Sequence, residues 1–246
     1  MTTGPIPVAA PHRVHERLRA ASDGPREVVH ASGTAIYVDL DGWCLGLVSG
    51  AATRVPCALW STLPSLDVLT GGLPRPAVRV RGGELVVGER AVRVARVVDV
   101  TAPAPGRHED PRSAPEVLMT SGLDLAPGHL DRLVGRGPGL TPLGDDVLAG
   151  WLTTRAALGR PDDALAGAVR DRLGATTLLS ATLLECAVRG EALPELSAWL
   201  ADPTDAAERA LLAVGATSGA GLLAGAALAL ASTTSSTPHP TPRRAA

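Results

Sequence analysis

The 246-residue chain has no phenylalanine and no lysine, and only one tyrosine. Aromatic residues make up 2% of it, so the core has to be built from leucine, valine and alanine rather than from packed rings. Without lysine every fixed positive charge is an arginine, and a single arginine carries little functional information. Basic residues number 23 against 25 acidic ones, a formal net charge of −2. No basic block and no interleaving of aromatic with basic residues occurs, which argues against nucleic acid as a partner. Cysteines are scarce too. Cys44, Cys57 and Cys186 are odd in number, far apart and without metal-ligand spacing. Each lies in an apolar run, the pattern of buried reduced thiols in a cytoplasmic protein. His12, His15, His30, His108, His129 and His239 share no zinc-like spacing. A G-x-S-x-G nucleophile elbow is missing as well. The first twenty residues have no apolar core of signal-peptide length.

Long hydrophobic runs are absent with one partial exception. Residues 210–237 are uncharged, and Gly215/Gly219 and Gly221/Gly225 match G-x-x-x-G, a packing motif of membrane helices. The run is mostly alanine and glycine with Thr217 and Ser218 inside it, so its transfer energy is weak. We read it as a buried helix of a soluble protein, with no membrane partner.

What is present divides near residue 105. Before it, short β-like runs alternate with turn signals: residues 27–30, 34–40, 43–49, 53–59, 77–81, 84–87 and 91–100. Asp41-Gly42 and Gly82-Gly83 are two-residue hairpin signals. Residues 63–76 read as a longer loop, and residues 12–21 as a short leading helix. Arg79, Arg81, Arg90, Arg93 and Arg96 alternate with valines, as on a solvated strand face. After the division the period becomes helical, over residues 127–134, 145–158, 162–173, 176–189, 194–200, 204–214 and 218–231. The expected class is α+β: a mostly antiparallel β domain or small barrel (12–100), a proline-rich linker (101–115), an all-helical domain (116–231) and a disordered Ser/Thr/Pro tail (232–246).

The densest motif is GRGPGLTPLGDDVLAGW at residues 135–151. Glycines and prolines fix a tight loop that runs into a helix, with Asp145 and Asp146 in its first turn, where the helix dipole favours negative charge. Such a loop can expose several N–H groups to an anion. It lacks the Lys-Ser/Thr of a P-loop and the strand-borne G-x-G-x-x-G of a dinucleotide fold. A plainer reading is also open, in which Pro142, Gly144 and Asp145 only end one element and cap the next.

This loop resembles the signature G-x-G-x-GLTPxGDDxLxG of the domain-of-unknown-function family 2877. That family includes the AllH-type subunit of oxamate carbamoyltransferase, part of a multi-subunit system of anaerobic allantoin breakdown. Looser similarity lies at residues 176–180 and 215–219, and the order of a β region followed by a helical region extends the resemblance to roughly residues 12–231. This chain departs from the family's habit at Leu143, where a small hydroxyl residue is common, and at Ala216, Ala220 and Gly221 around Ser218. The resemblance implies a carbamoyltransferase subunit that works with partner subunits on a small anionic metabolite such as carbamoyl phosphate or an oxamate-like acid.

Three clusters are expected to converge on that ligand. They are the loop (Arg136, Gly137, Gly139, Leu140, Thr141 and Gly144), the pair Thr177 and Ser180, and the step Thr217-Ser218-Gly219. All are small donors near helix starts or glycine-rich backbone, suited to holding an anion and stabilising developing oxyanion charge. Asp145 and Asp146 are the candidate catalytic pair. Two acids beside an anion repel it unless something intervenes. One resolution makes Asp145 a helix cap and Asp146 the working group; Arg136 is a nearby cation; and a Mg²⁺ on one or both acids is a further arrangement. His129 is a candidate acid or base, competing with a plain surface role. A non-catalytic assembly or regulatory subunit, and a Mg²⁺-dependent hydrolase, are the alternative functions.

Overall fold

The computed structural model describes residues 4–73, 75–107 and 125–234. The first half forms one sheet from β1 (Ile6–Pro11), β2 (Gly24–Arg26), β3 (Val28–Ala31), β4 (Ala35–Asp39), β5 (Cys44–Val48), β6 (Ala58–Ser61), β7 (Val78–Arg81), β8 (Glu84–Val87) and β9 (Arg90–Val98). Its order is β2-β7-β8-β9-β1-β6-β5-β4-β3. Pairing is antiparallel except at β1–β9 and β5–β6, which run parallel. β2 and β3 end the order without pairing with each other, so the sheet is open and not a barrel.

Both glycine hairpins form as the sequence demands. Asp41 and Gly42 take φ of 56° and 81°, and Gly82 and Gly83 take 58° and 74°, the left-handed pair that matches strand twist. Two other segments differ from expectation, both through proline. The run 53–59 becomes a strand only from Ala58, because Pro56 has no N–H to give a ladder. β1 goes unread in the sequence because Pro5, Pro7 and Pro11 punctuate it. It is nevertheless an inner strand: β6 pairs only with its Val8 and Ala9, so Pro7 has a neighbour on one side alone. The leading helix α1 (His12–Ala20) then buries Val14 and Leu18 against the sheet. A single turn, α2 (Asp67–Thr70), occupies the long loop.

The second half is helical: α3 (Leu143–Ala157), α4 (Asp163–Arg170), α5 (Leu178–Val188), α6 (Pro194–Ala201), α7 (Asp205–Leu212) and α8 (Ser218–Thr234), with short 3₁₀ turns at Pro127–Arg132 and Leu173–Ala175. Side-chain caps set three of the starts. Asp162, Thr177 and Thr204 each accept the N–H three residues on, which satisfies donors that a helix leaves open. The glycines of the uncharged run turn out to serve helix packing. A Cβ on Gly225 would lie 1.9 Å from the Val147 carbonyl, and one on Gly150 2.1 Å from the Leu222 carbonyl. α3 and α8 therefore touch backbone to backbone. Among the described residues no helix is long and apolar enough to cross a membrane.

α5 joins the two halves because its apolar residues point two ways. Leu179, Leu183 and Cys186 belong with the sheet's core, while Leu184 and Ala187 belong with the helical core. Its Thr182 hydroxyl accepts the Cys44 N–H of β5 at 2.9 Å. The start of the expected linker is pinned too: Ala102 N–H donates to the Gly190 carbonyl, Ala192 N–H to that of Val100, and Gly106 N–H to that of Leu200. The rest of that linker and most of the expected tail fall outside the described residues, while α8 continues to Thr234, past the expected tail start at 232. All three cysteines are buried free thiols.

Candidate functional site

The glycine loop, the N-terminus of α5 and the N-terminus of α8 do meet, at the N-terminal end of α3. Their meeting is held by Asp145, which is 1% exposed. Asp145 is not the cap of α3. That helix begins at Leu143, and the position before it, Pro142, provides no side-chain cap. Asp145 sits in the first turn and reaches sideways. Its Oδ1 accepts the Gly135 N–H at 2.9 Å, and its Oδ2 accepts the hydroxyls of Thr176 at 2.5 Å and Ser180 at 2.6 Å. Both oxygens are engaged, so one carboxylate ties the loop's first residue to the entry of α5. Thr177 strengthens the joint by donating to the Leu140 carbonyl at 2.5 Å while capping α5.

Asp146 has the opposite surroundings. It is 6% exposed, and its Oδ2 is buried without a hydrogen-bond partner. Beside it the Thr141 and Ser218 hydroxyls bond each other at 2.8 Å, fastening the loop to the start of α8. Burial pushes the Asp146 carboxyl up to about 7; the Ser218 hydroxyl, and more weakly that of Thr141, opposes the rise, and the charge of Asp145 adds to it. Other buried side-chain atoms also go without a partner, Thr154 Oγ1 and Glu195 Oε2 among them, but of these residues Asp146 lines the cavity at this site.

Asp146, Thr141 and Ser218 open onto a cavity of about 230 Å³ between the sheet and the helices. Tyr37, Val55 and Pro56 close it from the sheet side; Leu140, Ala149, Leu179, Leu183, Leu193, Leu196, Val214 and Leu222 form its apolar wall. A second carboxylate, Glu191, also lines it, but Arg13 of α1 holds that group in a two-pronged pair, Nε to Oε1 at 3.0 Å and Nη2 to Oε2 at 2.6 Å. Among the described residues no arginine or histidine lines the cavity.

The expected ligand residues therefore divide. Leu140, Thr141, Asp146 and Ser218 line the cavity. Asp145, Thr177 and Ser180 form the joint behind it. Gly144 and Gly219 serve close packing: a Cβ would lie 2.2 Å from the Leu133 carbonyl at the first and 1.9 Å from the Leu211 carbonyl at the second. Gly137 and Gly139 form the exposed tip of the loop, at φ of 127° and 95°. Arg136 reaches neither acid; its Nε donates to the Asp131 carbonyl at 3.2 Å. Thr217 and His129 are exposed and do not line the cavity. Sequence reasoning missed Thr176, Tyr37 and Glu191. Thr176 stands beside Thr177 and had a visible signal in its hydroxyl; Tyr37 and Glu191 reach the site through tertiary packing that no local pattern announces.

The loop's own signal is matched by comparison with known families. Residues 133–230 match the family described as oxamate carbamoyltransferase subunit AllH. That match bears out the resemblance read from the glycine loop. It contains the loop, both aspartates, α5 and most of α8, and so the whole helical side of the cavity; Tyr37, Val55 and Pro56 lie outside it. No curated protein and no solved structure matches the chain. Among the described residues no group of three or more His, Cys, Asp or Glu side chains is placed to hold a metal ion.

Proposed function

We propose that the chain is a subunit of a carbamoyltransferase-type system, working with partner subunits, and that Asp146 faces its small-molecule ligand. The observation that carries this reading is the buried Asp146 carboxyl, one oxygen of it without a partner, lining a cavity beside the Thr141 and Ser218 hydroxyls. A carboxyl group brought up to about 7 is matched to moving a proton at neutral pH. In carbamoyl transfer the acceptor nitrogen attacks the carbamoyl carbon, the bond from that carbon to the phosphate oxygen breaks, and the nitrogen loses a proton. In this reading Asp146 receives that proton, and the Thr141 and Ser218 hydroxyls steady charge on the carbonyl oxygen. An anionic end of the ligand belongs on the loop, away from Asp146, at the unbonded N–H groups of the cavity-lining Leu140 and Thr141. Burial of all three thiols suits a cytoplasmic, reducing setting.

The test is a thermal-shift titration with carbamoyl phosphate, phosphate, oxamate and Mg²⁺, singly and together. A ligand of the folded state at a hundred times its dissociation constant adds about 2.7 kcal/mol of apparent stability. A rise with carbamoyl phosphate or oxamate that Asp146→Asn removes supports the reading; no response to any of them refutes it. One observation favours a second reading, a subunit that binds a ligand for assembly or regulation without chemistry: the cavity has no cation to neutralise a phosphate. The Mg²⁺-dependent hydrolase is the less favoured reading, since hydrogen bonds already engage both oxygens of Asp145.

A further inference from the structure

The cavity behind Asp146 is larger and more apolar than a wholly polar metabolite requires. An apolar cavity of about 150 Å³ is enough to take up benzene, and this one has about 230 Å³. Its walls are mainly leucine, with alanine, valine and proline between them. Its polar groups are unequal in availability. Both oxygens of Glu191 are committed to Arg13, and the Thr141 and Ser218 hydroxyls bond each other and the Asp146 carboxyl, whereas Asp146 Oδ2 itself has no hydrogen-bond partner. The missing partner of a carboxylate oxygen is a hydrogen-bond donor; among the described residues the cavity lining has hydroxyls but no arginine or histidine, and none of them bonds Oδ2. Oxamate on Asp146 would leave the leucine walls without contacts and bring a second carboxylate toward the first.

We propose that this site binds an amphiphilic amide or amine, with an N–H-bearing head on Asp146 and a hydrocarbon or aromatic body of about six carbons filling the leucine-walled cavity. The inference rests on the reading of Asp146 as the ligand-facing acid, and it narrows the substrate class from small polar acids to apolar-bodied nitrogen compounds. The body gains from burial along its length, so affinity rises with each CH₂ that the cavity covers. The head supplies the donor that Asp146 Oδ2 lacks. A carboxylate head on the same body is repelled.

Calorimetric titration of the full chain at pH 8 with hexanamide, benzamide, acetamide, hexanoate and oxamate tests this. Hexanamide and benzamide should bind at least tenfold tighter than acetamide, and hexanoate should not bind. Leu183→Trp, which fills the cavity from α5, should abolish hexanamide binding. Leu183→Ala, which enlarges it, should move the preference toward octanamide and keeps the test open if the tryptophan variant fails to fold. Hexanamide no tighter than acetamide overturns the inference, and so does a chain-length preference unchanged in Leu183→Ala. Binding of oxamate or carbamoyl phosphate through Asp146 without any preference for hexanamide leaves the proposed function standing and removes this inference. Binding of hexanamide with no response to carbamoyl phosphate does the reverse.

Discussion

Asp145 and Asp146 are neighbours in sequence and opposites in circumstance. Asp145 spends both oxygens on the Gly135 N–H and the Thr176 and Ser180 hydroxyls, whereas Asp146 keeps one buried oxygen open at the cavity. They are consecutive in the first turn of α3, so their side chains leave the helix about 100° apart. One therefore turns to the entry of α5 and the other to the start of α8. The doublet that reads in the sequence as a catalytic pair is a joint and a free acid.

Removing the joint should cost stability first. Asp145→Ala leaves a buried N–H and two hydroxyls without their acceptor, and hydrogen bonds to a charged group are worth about 1.5–3 kcal/mol each, not additively. A loss of about 3–5 kcal/mol in urea unfolding is expected, with the loop of residues 135–144 opened to proteolysis. A loss below about 1 kcal/mol would mean that Asp145 does not hold the loop.

Asp146 should make the fold weaker as the pH rises. Its folded value of about 7 stands above the unfolded carboxyl value of about 3.9, so the folded state binds the extra proton between them. Stability from this group is greatest below about pH 4, falls through the window up to about 7 and is then constant, a total cost of roughly 4 kcal/mol. Urea unfolding at pH 5 and pH 8 should differ by about 2–3 kcal/mol more in the parent than in Asp146→Asn, with the parent weaker at pH 8.

The contact between α3 and α8 should not tolerate a methyl group. Gly225→Ala places a Cβ 1.9 Å from the Val147 carbonyl, so the helices must separate. Overpacking of this kind costs about 1–3 kcal/mol or more. Gly167→Ala, on α4 with no atom within 4 Å of the added Cβ, is the control and should be neutral or slightly stabilising. Thermal melts of the two variants make the comparison.

Arg13 ties α1 to the segment between α5 and α6. Its guanidinium pairs with Glu191, each side chain 15% exposed, and lies 5.4 Å from the Trp43 ring centroid. Arg13→Met should cost about 3–5 kcal/mol, because Glu191 is left half-buried and uncompensated. Arg13→Lys should recover only part of this, since an ammonium cannot form the two-pronged pair. Chemical unfolding of the three proteins ranks them.

The helical half of the molecule was legible because its signals are local. Period, caps and the glycine loop placed every helix from α3 onward within a few residues, and the hairpin glycines placed two turns of the sheet. β1 was hidden by its prolines, and its inner position follows from pairing with β9, more than eighty residues away. The site was legible in part for the same reason. Thr141, Asp146 and Ser218 carry sequence signals, but the choice between Asp145 and Asp146 depends on which way each side chain leaves α3. Tyr37 and Glu191 enter the cavity only when the sheet packs on α5, a contact that no sequence pattern spells out. Arg136, Gly137, Gly139 and Thr217 had the right chemistry and the right neighbours, yet the chain turns them away from the cavity.

Asp146 is a buried acid that faces a ligand and titrates far above a solvated carboxyl. The most direct measurement is a carbon-13 NMR titration of the aspartate carboxyl groups, with Asp146→Asn to assign the signal. One resonance should titrate with a midpoint near pH 7 and vanish in Asp146→Asn. If every aspartate carboxyl titrates below about pH 5, as solvated ones do, Asp146 is already satisfied within the fold and the account is wrong.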